Sequence, residues 1–445
     1  MIILKFGGTS VSSPKSLKTI VEIVQNQKDK NPVVVVSALS RVTDLLLSLV
    51  KNRKNSENIL KQVENLHFNL IKDYYGNVPS NLRTYILSSL QKINKLLSRK
   101  TNSLEFTDEI ISFGEIISSY IIADVLNNSK VSAKQIVATS LIVTNDHFGS
   151  ADFLPKETKQ KTKRVLNPLI KKGIIPVVTG FIGSTKSGKI TTLGRGGSDY
   201  TAAILGFSLL AWEIQIWTDV DGIFTSDPRL TRQAVVLSNV SYKEASELAA
   251  FGARVLHPRT IRPAISLGIP VRVLNTFNPK AKGTLIQQRN GQKSHIVAIA
   301  SKRKITLVTI YSTDMLLNKG FLARVFSIFA RYNISIDLVS VSEVSISASL
   351  DNDDNLDKAI RQLEKFSTVT TTQSLGMVSL IGEKIVNVKN ILRQIFSILD
   401  SSNIDVKMIS LGATDINISL VLPSLKIDKS VNALHKALIE RRQFI

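Results

Sequence analysis

Over the first 290 or so positions, apolar residues fall into short unbroken runs separated by longer stretches of helical period. Met1 to Leu4 and Val33 to Val36 are such runs, followed by a lysine and a serine, and Ile174 to Phe181 and Ile214 to Asp219 are mainly apolar segments of the same kind. Runs of this length read as buried strands. The stretches between them place apolar residues three and four apart. Residues 56 to 98 are polar and helical in period, without a catalytic signal. Phe106 to Leu126 reads as one long helix, with Thr107 as N-cap and Glu109 and Glu115 inside it. Strand and helix in alternation predict an α/β domain with a mainly parallel sheet. Such sheets bind ligands beyond the carboxyl ends of their strands, where Lys5, Ser37, Gly180 and Asp219 all fall.

The texture changes near Asn278. From there to Lys304 the chain is basic and carries Pro279, Gly283 and Gly291, which reads as a linker. Beyond it the chain repeats itself at an offset of 70 positions: Phe326-Ser327-Ile328 returns as Phe396-Ser397-Ile398, and Asn333-Ile334 as Asn403-Ile404. Ser340 and Ile346 return as Ser410 and Ile416. Each copy reads strand, helix, Asn-Ile turn, strand, strand. Two copies suggest a pair of small α+β modules rather than a solenoid. The expected divisions are a catalytic domain at 1–290, a linker with the first module at 291–375, and the second module at 376–445.

Composition narrows the choices. The chain has 445 residues, 43% hydrophobic and 21% charged, enough for two or three globular domains. It has no cysteine, which excludes disulfides, thiolate metal sites and cysteine nucleophiles. No signal peptide or membrane-spanning run is read, and a cytoplasmic location is expected. The net charge of +22 favours anionic partners. Its basic residues are nonetheless scattered, through 51–100, 280–304 and Arg441-Arg442, and aromatics are only 6%. Neither a nucleic-acid module nor a membrane surface is expected from that distribution.

Four segments carry chemistry. In Lys5-Phe6-Gly7-Gly8-Thr9-Ser10-Val11 a lysine ends a strand and two glycines follow. Glycine amides can face an anion and lysine binds phosphate as a point charge, but the lysine precedes the glycines, so this is not a P-loop. A plain glycine turn with a surface lysine is equally compatible. In Thr191 to Thr201 the run Gly194-Arg195-Gly196-Gly197-Ser198-Asp199 opens an apolar helix. Helix N-termini attract carboxylate or phosphate and Arg195 offers a bidentate fork, although Ser198 or Asp199 could equally be capping the helix. Trp217 to Arg229 sets Asp219, Asp221 and Asp227 close together after a strand. It lacks the final Glu of an EF-hand and also reads as two turns. Phe251 to Pro258 contains His257 at a helix end, where a packed structural histidine is the simpler reading. No Ser-His-Asp or H-E-x-x-H arrangement supports a hydrolase.

Together and in order, these segments resemble the aspartate kinases over nearly the whole chain. The matching stretches are Lys5 to Val11, Ser37-Ala38 with Thr43, Phe113-Gly114-Glu115, Gly180 to Gly183, Leu193 to Asp199, Trp217 to Arg229 and Phe251 to Pro258. The resemblance is strongest to the monofunctional, lysine-inhibited type, with no homoserine dehydrogenase domain after the repeat. It implies an amino-acid-kinase fold with a mainly parallel central sheet, followed by two ferredoxin-like ACT modules that pair in a homodimer or larger homo-oligomer. The implied reaction is ATP plus L-aspartate to 4-phospho-L-aspartate and ADP, the first step towards lysine, threonine, methionine and diaminopimelate. Mg2+ is expected with ATP, and no protein ligand for it is assigned. The resemblance makes Lys5 the group that binds phosphate and stabilises the transition state, assisted by the amides of Gly7, Gly8 and Thr9. Asp199 would orient Lys5 or the substrate ammonium. Arg195 would clamp the α-carboxylate, with Gly196, Gly197 and Ser198 beside it; Glu115 would meet the α-ammonium, and Ser37 and Thr43 would add hydrogen bonds. Thr218, Asp219, Phe224, Arg229, Arg254 and Val255 would frame the nucleotide. The family usually has Tyr at position 224 and Lys at 254, so Phe224 loses a hydroxyl and Arg254 changes geometry.

The repeat contains its own control for regulation. The first copy has Asp337 and Glu343 flanking a strand, where the second has Lys407 and Ala413. In the family that the chain resembles, that strand lines the lysine site, and an effector with two ammonium groups needs acids near both. The resemblance therefore implies lysine only in the first copy, at Asp337, Ser342 and Glu343 with Met315, Asn318, Phe321 and Leu322. The competing readings are a kinase acting on glutamate, carbamate or a nucleotide, and a regulatory or nucleic-acid-binding ACT protein prompted by the charge. Arg195 with Glu115 favours a zwitterionic acceptor over carbamate or a nucleotide.

Overall fold

The computed structural model describes residues 1–99, 101–251, 258–288, 295–316, 318–411 and 415–440. Arg254, Val255, His257, Ala413, Arg441 and Arg442 lie outside the described residues. In chain order the strands are β1 (Ile2–Phe6), β2 (Pro32–Val36), β3 (Ala133–Ile136), β4 (Ile175–Thr179), β5 (Ile182–Ser184), β6 (Ile190–Thr192), β7 (Glu213–Thr218), β8 (Asn239–Ser241), β9 (Val271–Asn275), β10 (Thr284–Gln287), β11 (Ala298–Tyr311), β12 (Leu338–Val341), β13 (Ser345–Leu350), β14 (Thr368–Ile381), β15 (Met408–Leu411) and β16 (Asn417–Pro423). The helices are α1 (Pro14–Asn26), α2 (Val42–Lys51), α3 (Ser56–Tyr75), α4 (Ser80–Leu97), α5 (Leu104–Ile111), α6 (Phe113–Asn128), α7 (Pro155–Lys171), α8 (Gly197–Leu209), α9 (Tyr242–Ala250), α10 (Arg262–Ile265), α11 (Phe321–Arg331), α12 (Leu356–Leu363), α13 (Ile391–Ser401) and α14 (Ile427–Leu438).

The chain divides into two compact units, Met1–Ile223 with Ser238–Tyr242 and Val255–Arg289, and Phe224–Leu237 with Lys243–Arg254 and Asn290–Ile445. The first is built on an eight-stranded sheet in the order β3-β4-β2-β1-β7-β9-β10-β8. All pairs are parallel from β3 to β9, and only β10 runs against its neighbour β9. β1, β2 and β4 are buried at every position, as continuous apolar runs predict for strands covered on both faces. Lys5 sits on β1 beside Val35 of β2 and Ile216 of β7. The strand-end residues named from the sequence do lie at carboxyl ends: Ser37, Gly180 and Asp219 each directly follow a strand.

One helix differs from the sequence expectation. Phe106 to Leu126 is two helices, α5 and α6, broken at Ser112, and the N-cap is Ser103, whose hydroxyl accepts from Phe106 N, rather than Thr107. The Ser112 hydroxyl donates back to Glu109 O at 2.7 Å, a local bond of the kind that bends helices. Gly114 follows at once. A Cβ there would lie 2.8 Å from the Ala38 Cβ, so only glycine lets α6 come this close to the chain after β2.

The second unit carries a six-stranded sheet, β12-β13-β11-β14-β16-β15. It holds two modules, and both have a second helix that the repeat did not reveal, α12 and α14. The modules are not threaded serially. β11 and β14 are each 14 residues long and pair antiparallel along their length, with shifts in register near Arg303 to Leu307. The later half of β11 packs in the first module's core with Val308 and Ile310; Ile296 and Ile299 pack in the second module's core with Val378, Ile395 and Leu434. The second module therefore takes one strand from chain that precedes the first, across the boundary expected at 375. The segment 224–237 also belongs to this unit. Thr225 Oγ1 accepts from Val235 N and lies 2.9 Å from His435 Nε2 on α14; His435 Nδ1 lies 2.9 Å from Glu440 Oε1.

Gly114→Ala should cost about 1–3 kcal/mol by forcing α6 off Ala38. The measurement is the urea midpoint of unfolding, and an unchanged midpoint would show that the approach of α6 is not tight.

Candidate active site

Burying a lysine is costly unless its charge is met. Lys5 is 7% exposed, and its Nζ lies 2.6 Å from Asp199 Oδ1 in the first turn of α8. The N-cap of α8 is Gly196, which is in the left-handed region (φ 69°) and makes no side-chain cap. Neither Ser198 nor Asp199 is therefore a capping residue, and the acid is free to pair with the lysine. Position is set by close packing: a Cβ on Gly180 would lie 2.4 Å from Ser198 Oγ and 2.9 Å from Val36 O. The missing side chain lets α8 end-on against the strand ends, which carries Asp199 to Lys5.

The phosphate-side turn is partly committed. Gly7 N donates to Trp217 O at 3.0 Å, so its amide is engaged in holding the turn to β7 and does not join the expected anion-binding set. Gly8 and Thr9 open a 3-10 turn, Thr9–Val11, where the first N–H groups have no helical acceptor.

These groups border a cleft of about 730 Å3 at the carboxyl end of the sheet. It is lined by Lys5, Gly8, Ser37, Thr43, Glu115, Arg195, Gly196, Gly197, Ser198 and Asp199 among others. All the catalytic and substrate-binding residues read from the sequence thus meet in one place. Glu115 is 3% exposed; its Oε1 accepts from Ala38 N at 3.1 Å, and its Oε2 is buried without a partner. Burial pushes its carboxyl up to about 8, with the Ala38 N–H opposing. Arg195 stands exposed between two left-handed glycines, Gly194 and Gly196.

A cleft that holds a paired lysine, a buried carboxyl with one unpartnered oxygen and two exposed arginines, Arg41 and Arg195, suits a small zwitterion beside a phosphate. Comparison with known proteins agrees. Residues 1–275 match the amino acid kinase family, and residues 308–365 and 378–438 match the ACT domain. Aspartokinase 1, chloroplastic, of Arabidopsis thaliana is 38% identical over 98% of this chain and 80% of its own length. Lysine-sensitive aspartokinase 3 of Escherichia coli strain K12 is 34% identical over 99% of both chains. The crystal structure of E. coli aspartokinase III in complex with aspartate and ADP superposes with a TM-score of 0.85 at 35% identity, covering 99% of this chain and 100% of that one. The chain belongs to the aspartokinase family.

In this aspartokinase the remaining expected residues are distributed as follows. Thr218 ends β7, its hydroxyl donating to Asp219 Oδ1 at 3.2 Å, and Asp219 is exposed. Asp221 accepts from Asn275 and Asn278 side chains at 2.8 and 3.1 Å and so anchors a loop. Phe224 and Arg229 belong to the second unit. Arg229 closes on Asp227, Nη2 to Oδ2 2.7 Å, and this fork holds the Asp227 carboxyl below its usual range. Of the regulatory residues, Met315 lies in a 3-10 turn, Asn318 donates its N–H to Asp314 O, and Phe321 and Leu322 open α11. Asp337 precedes β12 and Ser342 and Glu343 follow it, so about 16 Å of strand separates them; one chain does not bring them together. Asp337 Oδ1 pairs with Lys302 Nζ at 3.0 Å, while Oδ2 is buried without a partner. Burial raises the Asp337 carboxyl, and Lys302 opposes the shift.

Among the cleft residues absent from the sequence-derived site, Phe181 and Asp108 tie its walls together. Phe181 is left-handed (φ 68°) and accepts Leu193 N at 2.9 Å, tying β4's end to the Arg195 loop. Asp108 is a buried acid on α5. It stands seven residues before Glu115, a spacing that would put two acids on one face of an unbroken helix; the break at Ser112 places them on separate helices.

The proton on Glu115 has a consequence for stability. Its folded value is near 8 and its ordinary value 4.5, so between those limits the folded chain binds a proton the unfolded chain has released, and stability falls as pH rises. The difference in unfolding free energy between the native chain and Glu115→Gln should widen in the variant's favour from pH 5 to pH 8. Parallel curves across that range would show that the carboxyl is not held protonated.

Proposed function

We propose that this aspartokinase transfers the γ-phosphoryl group of ATP to the β-carboxylate of L-aspartate through the groups gathered around Lys5. The Lys5–Asp199 pair at the end of β1 carries this reading. The acceptor carboxylate is already ionised at neutral pH, so no strong base is needed. Catalysis then reduces to positioning and charge neutralisation. Lys5 neutralises charge on the transferred phosphoryl group, and Asp199 holds its ammonium in place. The free amides of Gly8 and Thr9 face the phosphates. Glu115 Oε2, buried and unpartnered, receives the α-ammonium and loses its proton on doing so; Arg195 takes the α-carboxylate; Ser37 and Thr43 complete the hydrogen bonds. Thr218, Asp219, Phe224 and Arg229 are the nucleotide residues of this reading, with Arg254 and Val255. No residue of this chain is assigned to hold Mg2+; the ion would come with ATP and would supply charge neutralisation on the phosphates.

For regulation, lysine is the effector of the first ACT module, bound through Asp337, Ser342 and Glu343. The buried, unpartnered Oδ2 of Asp337 supports an ammonium there. E. coli aspartokinase III has been crystallised in complex with lysine and aspartate, and superposes with a TM-score of 0.86 at 35% identity. The spacing along β12 supports a site shared by two copies of the chain. β12 is a sheet edge with Val339 and Val341 exposed, a surface on which a second copy can add a strand. A homodimer in the cytosol is the expected form.

Lys5→Ala should lower kcat by about 10²–10³, the loss of one preorganised charge-stabilising group, in an assay of aspartate-dependent ADP release. Retained turnover would remove Lys5 from this role. Asp337→Ala should raise the lysine concentration for half-inhibition at least tenfold while uninhibited turnover stays within about twofold. Inhibition that persists unchanged would move the effector site elsewhere.

A further inference from the structure

Asp108 is 1% exposed and spends both carboxylate oxygens on the rim of the cleft. Oδ2 accepts from Gly149 N and from Thr192 N, each at 2.8 Å, and Oδ1 accepts from the Thr192 hydroxyl at 2.8 Å. It thereby binds two separate segments to one helix. Thr192 ends β6, and the segment after Gly149 returns to it, Ala151 N donating to Thr192 O at 2.8 Å. Arg259 grips the same segment at Ser150 Oγ and Asp152 Oδ1, both 2.7 Å.

The chain from Thr192 to α8 is short. Leu193 is buried and donates its N–H to Phe181 O, Gly194 turns left-handed (φ 78°), Arg195 follows exposed, and Gly196 turns left-handed again into the helix. The origin of the Arg195 side chain is therefore determined by two fixed points, α8 on one side and Thr192 on the other. Asp108 holds Thr192. Charge-assisted bonds to a carboxylate are among the stronger hydrogen bonds, and losing the acceptor would leave the buried amide and hydroxyl of Thr192 unmet.

We propose that Asp108 is a positioning residue for amino-acid recognition, acting through Thr192 to place Arg195 against the substrate's α-carboxylate. This rests on the assignment of Arg195 to that carboxylate. Its consequence is that one bent helix pair sets both ends of the acceptor's zwitterion. One turn before the break at Ser112, α5 carries Asp108 and so the carboxylate clamp. Just after it, α6 carries Glu115 and so the ammonium contact. The geometry of the bend measures the distance between them, which selects an α-amino acid over an acceptor with one charged end.

The test is a double-mutant cycle on aspartate KM with Asp108→Asn, Arg195→Ala and the pair. Asp108→Asn should raise aspartate KM about tenfold or more and leave ATP KM within about twofold. The double variant should match Arg195→Ala alone, because the two residues act on one contact. Multiplied effects, or equal rises in both KM values, would overturn the proposal and leave Asp108 a general structural acid. Should Asp108→Asn fail to fold, Thr192→Val removes one of the three donors and should raise aspartate KM about threefold, with Thr192→Ser returning it to the native value. An unmoved KM in Thr192→Val overturns the proposal equally. The underlying assignment is tested separately: native protein that releases no ADP with aspartate, or Arg195→Ala with unchanged aspartate KM, sinks that reading whatever Asp108 does.

Discussion

A lysine ammonium can stay in the interior of an α/β sheet only if a carboxylate is delivered to it, and much of the first unit serves that delivery. Lys5 is carried inward by β1, which has neighbours on both sides and is buried at every position. Asp199 reaches it because α8 starts at the strand ends, and α8 can start there because Gly180 has no side chain to meet Ser198. Removing either charge would leave the other buried and uncompensated, which costs far more than the pair contributes to stability. The arrangement is therefore poor economy for a fold, and in the proposed reaction it would serve as preparation, with a cation held before any phosphate arrives.

Of the acids that border the cleft, Asp199, Asp108 and Glu115 differ in what surrounds them. Asp199 meets a lysine. Asp108 meets three hydrogen-bond donors, which oppose the upward push of burial on its carboxyl. Glu115 meets one amide and an empty face, and burial dominates. Environment alone separates them into an ion-pair partner, an anchor and a buried acid whose carboxyl is raised and whose second oxygen is unpartnered. Carboxyl groups thus meet three different environments within one cleft, because each lies on a different element: α8, α5 and α6.

The central sheet was legible because strands buried on both faces are written as mainly apolar runs, and β1, β2, β4 and β7 fall where Met1–Leu4, Val33–Val36, Ile174–Phe181 and Ile214–Asp219 put them. The cleft was legible because glycine and charge cluster at those strand ends. The break at Ser112 was not, since helical period continues through it and the bend comes from one hydroxyl bonding back to the chain. Asp108 was missed for a related reason. Its partners, Gly149 and Thr192, are distant in sequence and contribute backbone amides, which no residue code records. The amide of Gly7 was overread: local sequence shows that a glycine turn exists, but not that Trp217 O already occupies its N–H.

The regulatory unit shows the same limit on a larger scale. A repeat of 70 positions reads as two beads on a string, and periodicity cannot say which strand completes which bead. Strands of 14 residues resolve the matter physically. A strand that long is nearly three times the usual length, and it reaches through both cores, so β11 and β14 each serve two modules at once. The two cores contain different residues, yet neither module can close its sheet without backbone that the other also uses. A shift of β11 along β14 would break hydrogen bonds in both halves, because the ladder between them is continuous apart from the irregularity near Arg303 to Leu307. Separate cores on shared strands make the pair one mechanical body. The same body includes the segment 224–237, which β11 and α14 hold through Ile299 N to Thr225 O at 2.8 Å and the Thr225–His435 contact.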